Sequence, residues 1–290
     1  MENYDFGHVS NEAFAAMALA AVLGVILPLI AALIWCKVKK ERFTTVLIGA
    51  ATFMLFAIVL EKSLQSLVIG IDHPVSRFLY ATPVLYALVI AIFPGVFEET
   101  GRYVAFKTVL RRRKNRETAI SHGIGHGGFE AMFTLGLTFA EYIVYGVMIN
   151  NGTYGAMADA LLASSPATPG LEQQFFTVAE QITSVTLGNI WVSLLERVFA
   201  ILFHTGASML VFYACKDPKK KWLYPLAIVL HTLMDFVVAG LLYVGLVNYP
   251  VWLTETMIGV SGVGLFLLAY VFLYRKDKAE DEEKAADMVG

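Results

Sequence analysis

Residues 83–102 read PVLYALVIAIFPGVFEETGR, an apolar run that also carries two adjacent glutamates and an arginine. A transmembrane α-helix needs about 20 mostly apolar residues, which is the length of this run. A charge near the centre of a bilayer costs about 2.5–3.5 kcal/mol on insertion scales. The stretch therefore predicts a membrane helix in which Glu98, Glu99 and Arg102 have a role that compensates for this cost.

The rest of the chain is similarly apolar, since 57% of its 290 residues are hydrophobic and only 16% are charged. Such a composition leaves too little polar surface for a water-soluble globule of this size, so lipid is expected to cover it. Apolar segments of spanning length lie at roughly 13–36, 44–69, 79–110, 118–149, 189–215, 222–246 and 253–274. We predict an all-α, polytopic protein of the cell membrane with about seven transmembrane helices.

Charges in the connecting loops predict the orientation of these helices. Lysines and arginines gather in alternate loops, around residues 37–42, 107–116, 216–221 and 275–278, whereas residues 150–188 contain neither. By the positive-inside rule the N-terminus lies outside and the C-terminus in the cytoplasm, which requires an odd number of spans. We expect one transmembrane domain over residues 1–276 with an external loop at 150–188, followed by a disordered charged cytoplasmic tail at 277–290. A nucleic-acid partner is not expected, because the largest basic run lies in a cytoplasmic loop.

Ionisable residues recur at one depth in four of the predicted helices. Counting about 1.5 Å per residue from the nearest basic loop places them about 15–21 Å into the membrane. They are Glu98, Glu99, His126, Glu130, His204 and His231. Residues four apart share a helix face, so Arg102 is expected to accompany Glu98, and Asp235 to accompany His231. These side chains are therefore predicted to point into one cavity.

The residue types in this cluster suit hydrolysis. Paired carboxylates can act as general base and general acid on a water molecule. Histidines from other helices can donate hydrogen bonds to an oxyanion or bind Zn²⁺ together with a carboxylate, which makes His204 and His231 the candidate metal ligands. His122 lies only about 9 Å from Arg116 and fits an interfacial position equally well. Ion pairing from helix to helix is the expected role of the charges nearer the outer side: Glu61-Lys62, Glu141 and Glu196-Arg197.

The motifs resemble those of the YhfC-type membrane peptidases, relatives of the CAAX-protease and bacteriocin-immunity proteins and of the PrsW-type proteases. The matching stretches are FEETGR at 97–102, GHGGFE at 125–130, His204, and HTLMD at 231–235. In the wider group the first motif is commonly EExxxR, whereas here Arg102 follows after only two residues. The second motif elsewhere carries a single His or Glu, whereas this chain has both His126 and Glu130.

The resemblance implies hydrolysis of a peptide bond in or near the membrane. In this hypothesis Glu98 or Glu99 activates water, His204 and His231 are oxyanion donors or metal ligands, and Arg102 and Asp235 orient their partners. Two mechanisms remain open, one with Zn²⁺ and one that depends on glutamate alone. The alternative functions are a proton- or cation-coupled transporter, since mid-membrane carboxylates and histidines also relay ions, and a non-catalytic immunity or binding protein on the same fold.

Overall fold

A computed structural model of the chain describes residues 4–164, 171–240, 245 and 247–277, and it contains no strand within these ranges. Its ten α-helices, numbered over the described ranges, are α1 Asn11–Lys39, α2 Phe43–Ile69, α3 Pro74–Tyr80, α4 Pro83–Lys107, α5 Glu117–Asn150, α6 Tyr154–Ser164, α7 Leu171–Thr183, α8 Leu187–Lys216, α9 Leu223–Asp235 and α10 Val251–Ala269, and a short 3-10 helix, Pro218–Lys220, follows α8. Segments of π-helix interrupt or extend four of them, at Met54–Glu61 in α2, Met132–Leu137 in α5, Phe236–Gly240 after α9 and Tyr270–Tyr274 after α10.

Six helices are long and apolar enough to cross a membrane, which confirms the all-α membrane fold. They are α1, α2, α4, α5, α8 and α10 with its π extension, and their bounds follow the predicted segments closely. The remaining predicted span, 222–246, begins with α9, but residues 241–244 and 246 lie outside the described part. The seven-helix count and the orientation of the termini therefore remain predictions.

Local sequence signals explain where several helices begin. Ser10 caps α1 by accepting a hydrogen bond from the backbone N–H of Ala13, and Thr186 caps α8 by accepting one from Asn189. Proline occupies the first turn of α3 and of α4, where its missing N–H costs nothing. Pro94 lies in the interior of α4, which extends on both sides of it from Pro83 to Lys107.

The centre of the bundle is α8. In its most apolar window 67% of the residues are buried, against 33% or less in the other five spans. The half of α8 that ends at Lys216 packs into the main hydrophobic core, which also includes Phe106 from α4 and Ile120 from α5. The spans around α8 direct most of their apolar side chains outward, as expected where lipid replaces a protein partner.

Glycines in α5 allow two neighbouring helices to approach its backbone closely. A β-carbon at Gly123 would collide with the backbone of Thr205 in α8, and one at Gly125 would collide with the backbone of Val46 in α2. Because main-chain atoms cannot rotate away, neither position has room for even a methyl group. The glycines thereby hold His126 between α2 and α8.

We expect Gly123→Ala to destabilise the protein by about 2–3 kcal/mol, because the added methyl group forces α5 away from α8. Gly264→Ala in α10 is the matched control, since no atom lies within 4 Å of the added β-carbon there. Alanine is the better helix former, so the control is expected to be neutral or slightly stabilising. Thermal unfolding of both variants in the same detergent tests this. Equal transition temperatures would show that the close approach is dispensable.

The segment predicted as an external loop, 150–188, contains two helices. The helices α6 and α7 pack with the N-terminal segment and the end of α5 into a separate apolar cluster that includes Val9, Tyr154 and Ile182. Asn150 ties this cluster together, because its side chain both accepts a hydrogen bond from the Val9 N–H and donates one to the Val9 carbonyl. The described residues of this segment, 150–164 and 171–188, therefore form a packed cap over one end of the bundle.

The predicted disordered tail at 277–290 lies outside the described residues except for its first residue. Asp277 contacts Lys216 at the end of α8, with 2.7 Å between Lys216 Nζ and Asp277 Oδ1. This ion pair ties the end of the π segment that follows α10 to the central helix.

Candidate active site

Four helices contribute the polar residues of the candidate site. They come from α4 (Glu98, Glu99, Arg102), α5 (His122, His126, Glu130), α8 (His204) and α9 (His231, Asp235). Glu99, Arg102, His122 and His126 have no exposed surface, and Glu98, His204 and His231 are also buried. Burial on this scale removes the charges from solvent, so each depends on the others for compensation.

Glu98, His126 and His204 form the tightest group. Each offers one ligating atom, and these atoms all lie within 4.8 Å of one another. His126 donates from Nε2 to Glu98 Oε2 at 2.8 Å, and His204 Nδ1 lies 3.7 Å from the same oxygen. Two imidazoles and a carboxylate are the ligand set of many hydrolytic zinc sites, in which water or substrate takes the fourth position.

Glu130 and Arg197 hold the far side of the His204 ring. His204 Nε2 contacts Glu130 Oε2, and Arg197 donates to the other oxygen of that carboxylate at 2.9 Å. A metal-binding histidine usually donates its second ring N–H to a carboxylate, which fixes the tautomer and leaves the opposite nitrogen free to bind. Glu130 gives His204 this arrangement, with Nδ1 directed at Glu98.

A second group extends from Glu99. Its Oε1 accepts hydrogen bonds from Arg102 Nη1 at 2.6 Å and from His231 Nδ1 at 2.8 Å, whereas its Oε2 is buried without a hydrogen-bond partner. His231 Nε2 lies 3.6 Å from Asp235 Oδ2. Asp235 is 23% exposed and lines a cavity of about 350 Å³ together with Lys62 and Gln65. A chain of polar groups thus connects the fully buried Glu99 with this cavity.

Arg102 connects the two groups. Besides its bond to Glu99, it donates from Nη2 to His204 Nδ1 at 2.6 Å, and this nitrogen lies 3.6 Å from Glu98 Oε2. Its Nε lies 3.3 Å from Ser208 Oγ. We expected Arg102 to pair with Glu98 four residues away, but its shorter contact is with Glu99 three residues away.

His122 lies beside the cluster. Its ring is bonded to Ser208 Oγ at 3.2 Å and to Thr52 Oγ1 at 3.4 Å, and it is completely buried within the protein. No hydrogen bond joins it to a carboxylate in the described residues. Its position favours a structural role.

The sequence suggested His204 and His231 as the pair of metal ligands, whereas the structure groups His204 with His126 and Glu98. The His231 ring centre is 5.4 Å from that of His204, but its Nδ1 is bonded to Glu99. The two candidate residues of the second motif, His126 and Glu130, lie in different places. His126 faces Glu98, whereas Glu130 contacts the side of the His204 ring that is turned away from Glu98.

Arg197 forms the ion pair between helices that the sequence predicted, since it binds Glu130 of α5 and also contacts Glu196. The sequence analysis did not predict that this pair lies against His204, nor that Ser208 belongs to the network. Arg197 and Ser208 both lie on the His204 face of α8, seven residues before it and four after it, so the periodicity used for the other helices could have identified them. Glu61 pairs with Lys62 at 2.8 Å, and Glu141 accepts a hydrogen bond from Tyr145.

The donor set fits a zinc ion. In tetrahedral sites N and O ligands lie about 2.0–2.2 Å from the metal and therefore about 3.3–3.6 Å from one another, so small side-chain rotations would bring the three atoms into range. Glu99 Oε2, on the residue next to Glu98, is buried without a hydrogen-bond partner. Such atoms are rare in native interiors, and this one is available to a further polar species.

Comparison with known proteins gives two matches. The family model described as YhfC intramembrane metalloprotease matches residues 23–258. The uncharacterized membrane protein YhfC of Bacillus subtilis (strain 168) is 31% identical over 228 residues, which cover 78% of this chain and 84% of the relative. No solved structure matches. The matched range contains every residue of the polar cluster.

Proposed function

Because the chain belongs to the YhfC intramembrane metalloprotease family, we propose that it hydrolyses a peptide bond in or near the membrane at the polar cluster of α4, α5, α8 and α9. The observation that carries this proposal is the buried group of Glu98, His126 and His204, with the second carboxylate of Glu99 beside it. A protein that only binds a partner would not need so many ionisable groups buried in its interior, because burying them costs free energy.

Glu98, His126 and His204 would hold the metal, and Glu130 would keep the His204 ring in the required tautomer. A bound Zn²⁺ supplies a Lewis acid that polarises the scissile carbonyl and makes water a stronger nucleophile at neutral pH. Metal binding requires a lone pair on each imidazole, so His126 must lose the proton that its Nε2 now shares with Glu98.

Glu99 is the general base in this proposal. Its Oε1 is held by Arg102 and His231, which leaves Oε2 free to take a proton from water as the new C–O bond forms. The same carboxyl then gives that proton to the amine nitrogen as the C–N bond breaks, so Glu99 ends the reaction ionised. Asp235 lies on the far side of His231 and positions it, and the cavity at Asp235 supplies water.

A metal-free mechanism is the second candidate, and the position of Arg102 favours it. In this version Glu98 or Glu99 activates water while His204 and His231 donate hydrogen bonds to the oxyanion. Arg102 already supplies positive charge between Glu98 and His204. Both mechanisms use the same cluster and predict the same reaction.

The test is cleavage of a library of peptides with apolar segments by the purified protein in lipid vesicles, followed by mass spectrometry of the fragments. We expect defined fragments from the wild type and from the control Glu141→Gln, whose carboxylate is bonded to Tyr145 outside the cluster. A chelator should abolish cleavage, and Zn²⁺ should restore it. Absence of fragments throughout would contradict the proposal, whereas cleavage that persists without metal would support the metal-free mechanism.

A further inference from the structure

Arg102 occupies the place in the cluster where positive charge is most favoured. Its guanidinium is fully buried and contacts Glu99 at 2.6 Å, His204 Nδ1 at 2.6 Å and Glu98 at 3.6 Å. An arginine cannot lose its proton in a protein, so this cation is permanent. It lies beside two carboxylates and offsets the repulsion that they would otherwise exert on each other in a medium of low dielectric constant.

The contact with His204 fixes which ring nitrogen carries the hydrogen. Arginine only donates hydrogen bonds, so His204 Nδ1 must accept from Nη2, and the ring hydrogen lies on Nε2, facing Glu130. Nδ1 is therefore the only nitrogen of His204 whose lone pair can accept a hydrogen bond or bind a metal, and it is the one directed toward Glu98. A metal ion and the Arg102 guanidinium would need the same lone pair.

We propose that Arg102 is a built-in competitor of the metal, which holds the cation position in the metal-free protein and moves aside when the metal binds. This inference rests on the proposed function. The movement is small, because Arg102 has only to release His204 and can keep its bonds to Glu99 and Ser208. The guanidinium then remains beside Glu99 and keeps that carboxylate ionised for its work as base. Arg102 in this way sets the affinity of the site for its metal as well as positioning Glu99.

The test is the equilibrium affinity for Zn²⁺, measured on the purified protein in detergent against a chromophoric chelator. We expect Arg102→Met to bind Zn²⁺ at least tenfold more tightly than the wild type, because the competing cation is gone and Glu98 and Glu99 lose their compensation. Arg197→Met is the matched control, since Arg197 is also cationic and close to His204 but contacts Glu130 and no ligating atom. Its affinity is not expected to increase.

A second variant tests the proposal even if Arg102→Met does not fold. Arg102→Lys keeps the positive charge but has one nitrogen in place of the fork, so it cannot bind Glu99 and His204 together. We expect it to bind Zn²⁺ about threefold or more tightly than the wild type. If the wild type binds Zn²⁺ but both variants bind it equally or more weakly, Arg102 supports the ligands and the inference is wrong. If the wild type itself binds no Zn²⁺, the metal site of the proposed function fails, and the inference fails with it.

Discussion

Glu99→Gln is expected to reduce the rate of peptide hydrolysis by about 10³-fold, within the range that a general base contributes. The amide is close in shape to the carboxylate and can still accept hydrogen bonds from Arg102 and His231, but it cannot take a proton from water. Single-turnover cleavage of the best peptide from the library gives the rate of the chemical step. Substrate binding is expected to change little, so the loss should appear in kcat and not in KM.

Zinc affinity separates loss of the base from loss of the metal. Because Glu99 is not among the proposed ligands, Glu99→Gln should still bind one Zn²⁺ per chain. Glu141→Gln controls for the removal of a carboxylate from the bundle as such and should keep full activity. A Glu99→Gln variant that retains more than a tenth of the wild-type rate would assign the base to another group, and Glu98 would be the next candidate.

His126→Ala is expected to lose both zinc binding and activity. Outer residues that support a metal ligand typically account for about 10–100-fold in metal affinity, so removal of a ligand should cost more than about 100-fold. His122→Ala is the matched control, because this histidine is equally buried and lies one turn away on the same helix, but bonds to Ser208 and Thr52. Zinc content and cleavage should both survive in the control. Equal losses in the two variants would indicate a packing defect of α5.

The sequence was sufficient for the all-α membrane fold and for the set of helices that carry the cluster. Transmembrane segments are identified by their length and apolar composition, and six of the predicted segments are confirmed as helices of spanning length. The recurrence of Glu98, His126 and His204 at one depth followed from counting residues along straight helices. Their meeting in space required only that the three helices be neighbours.

The pairings within the cluster could not be predicted. An inward-facing helix surface is about 100° wide, so the sequence alone does not show whether Glu98 or Glu99 points to the centre of the cluster. For the same reason it does not show whether His126 or His231 is the neighbour of His204. The choice between them depends on the rotation of each helix, which the contacts of α5 with α2 and α8 at Gly125 and Gly123 determine. Those contacts turn His126 toward Glu98.

The cap over one end of the bundle was also beyond the sequence analysis. Residues 150–188 lack basic residues and contain a turn-rich break, which is why an external loop was expected. The apolar residues of α6 and α7 are too few for a membrane span, but they suffice to pack on the N-terminal segment. The ring of Tyr154 packs against those of Phe6 and Phe175, so the apolar residues of this segment form the interior of the cap.

The central claim is that Glu98, His126 and His204 bind one metal ion on which hydrolysis depends. X-ray absorption at the zinc edge, recorded on wild-type protein of measured activity, tests it most directly. The account predicts one Zn²⁺ per chain with nitrogen and oxygen ligands at about 2.0–2.2 Å and no sulfur, with metal content and activity falling together in Glu98→Gln, His126→Ala and His204→Ala. Fully active protein without zinc, or zinc bound to the sulfur of Cys36 or Cys215, would contradict it.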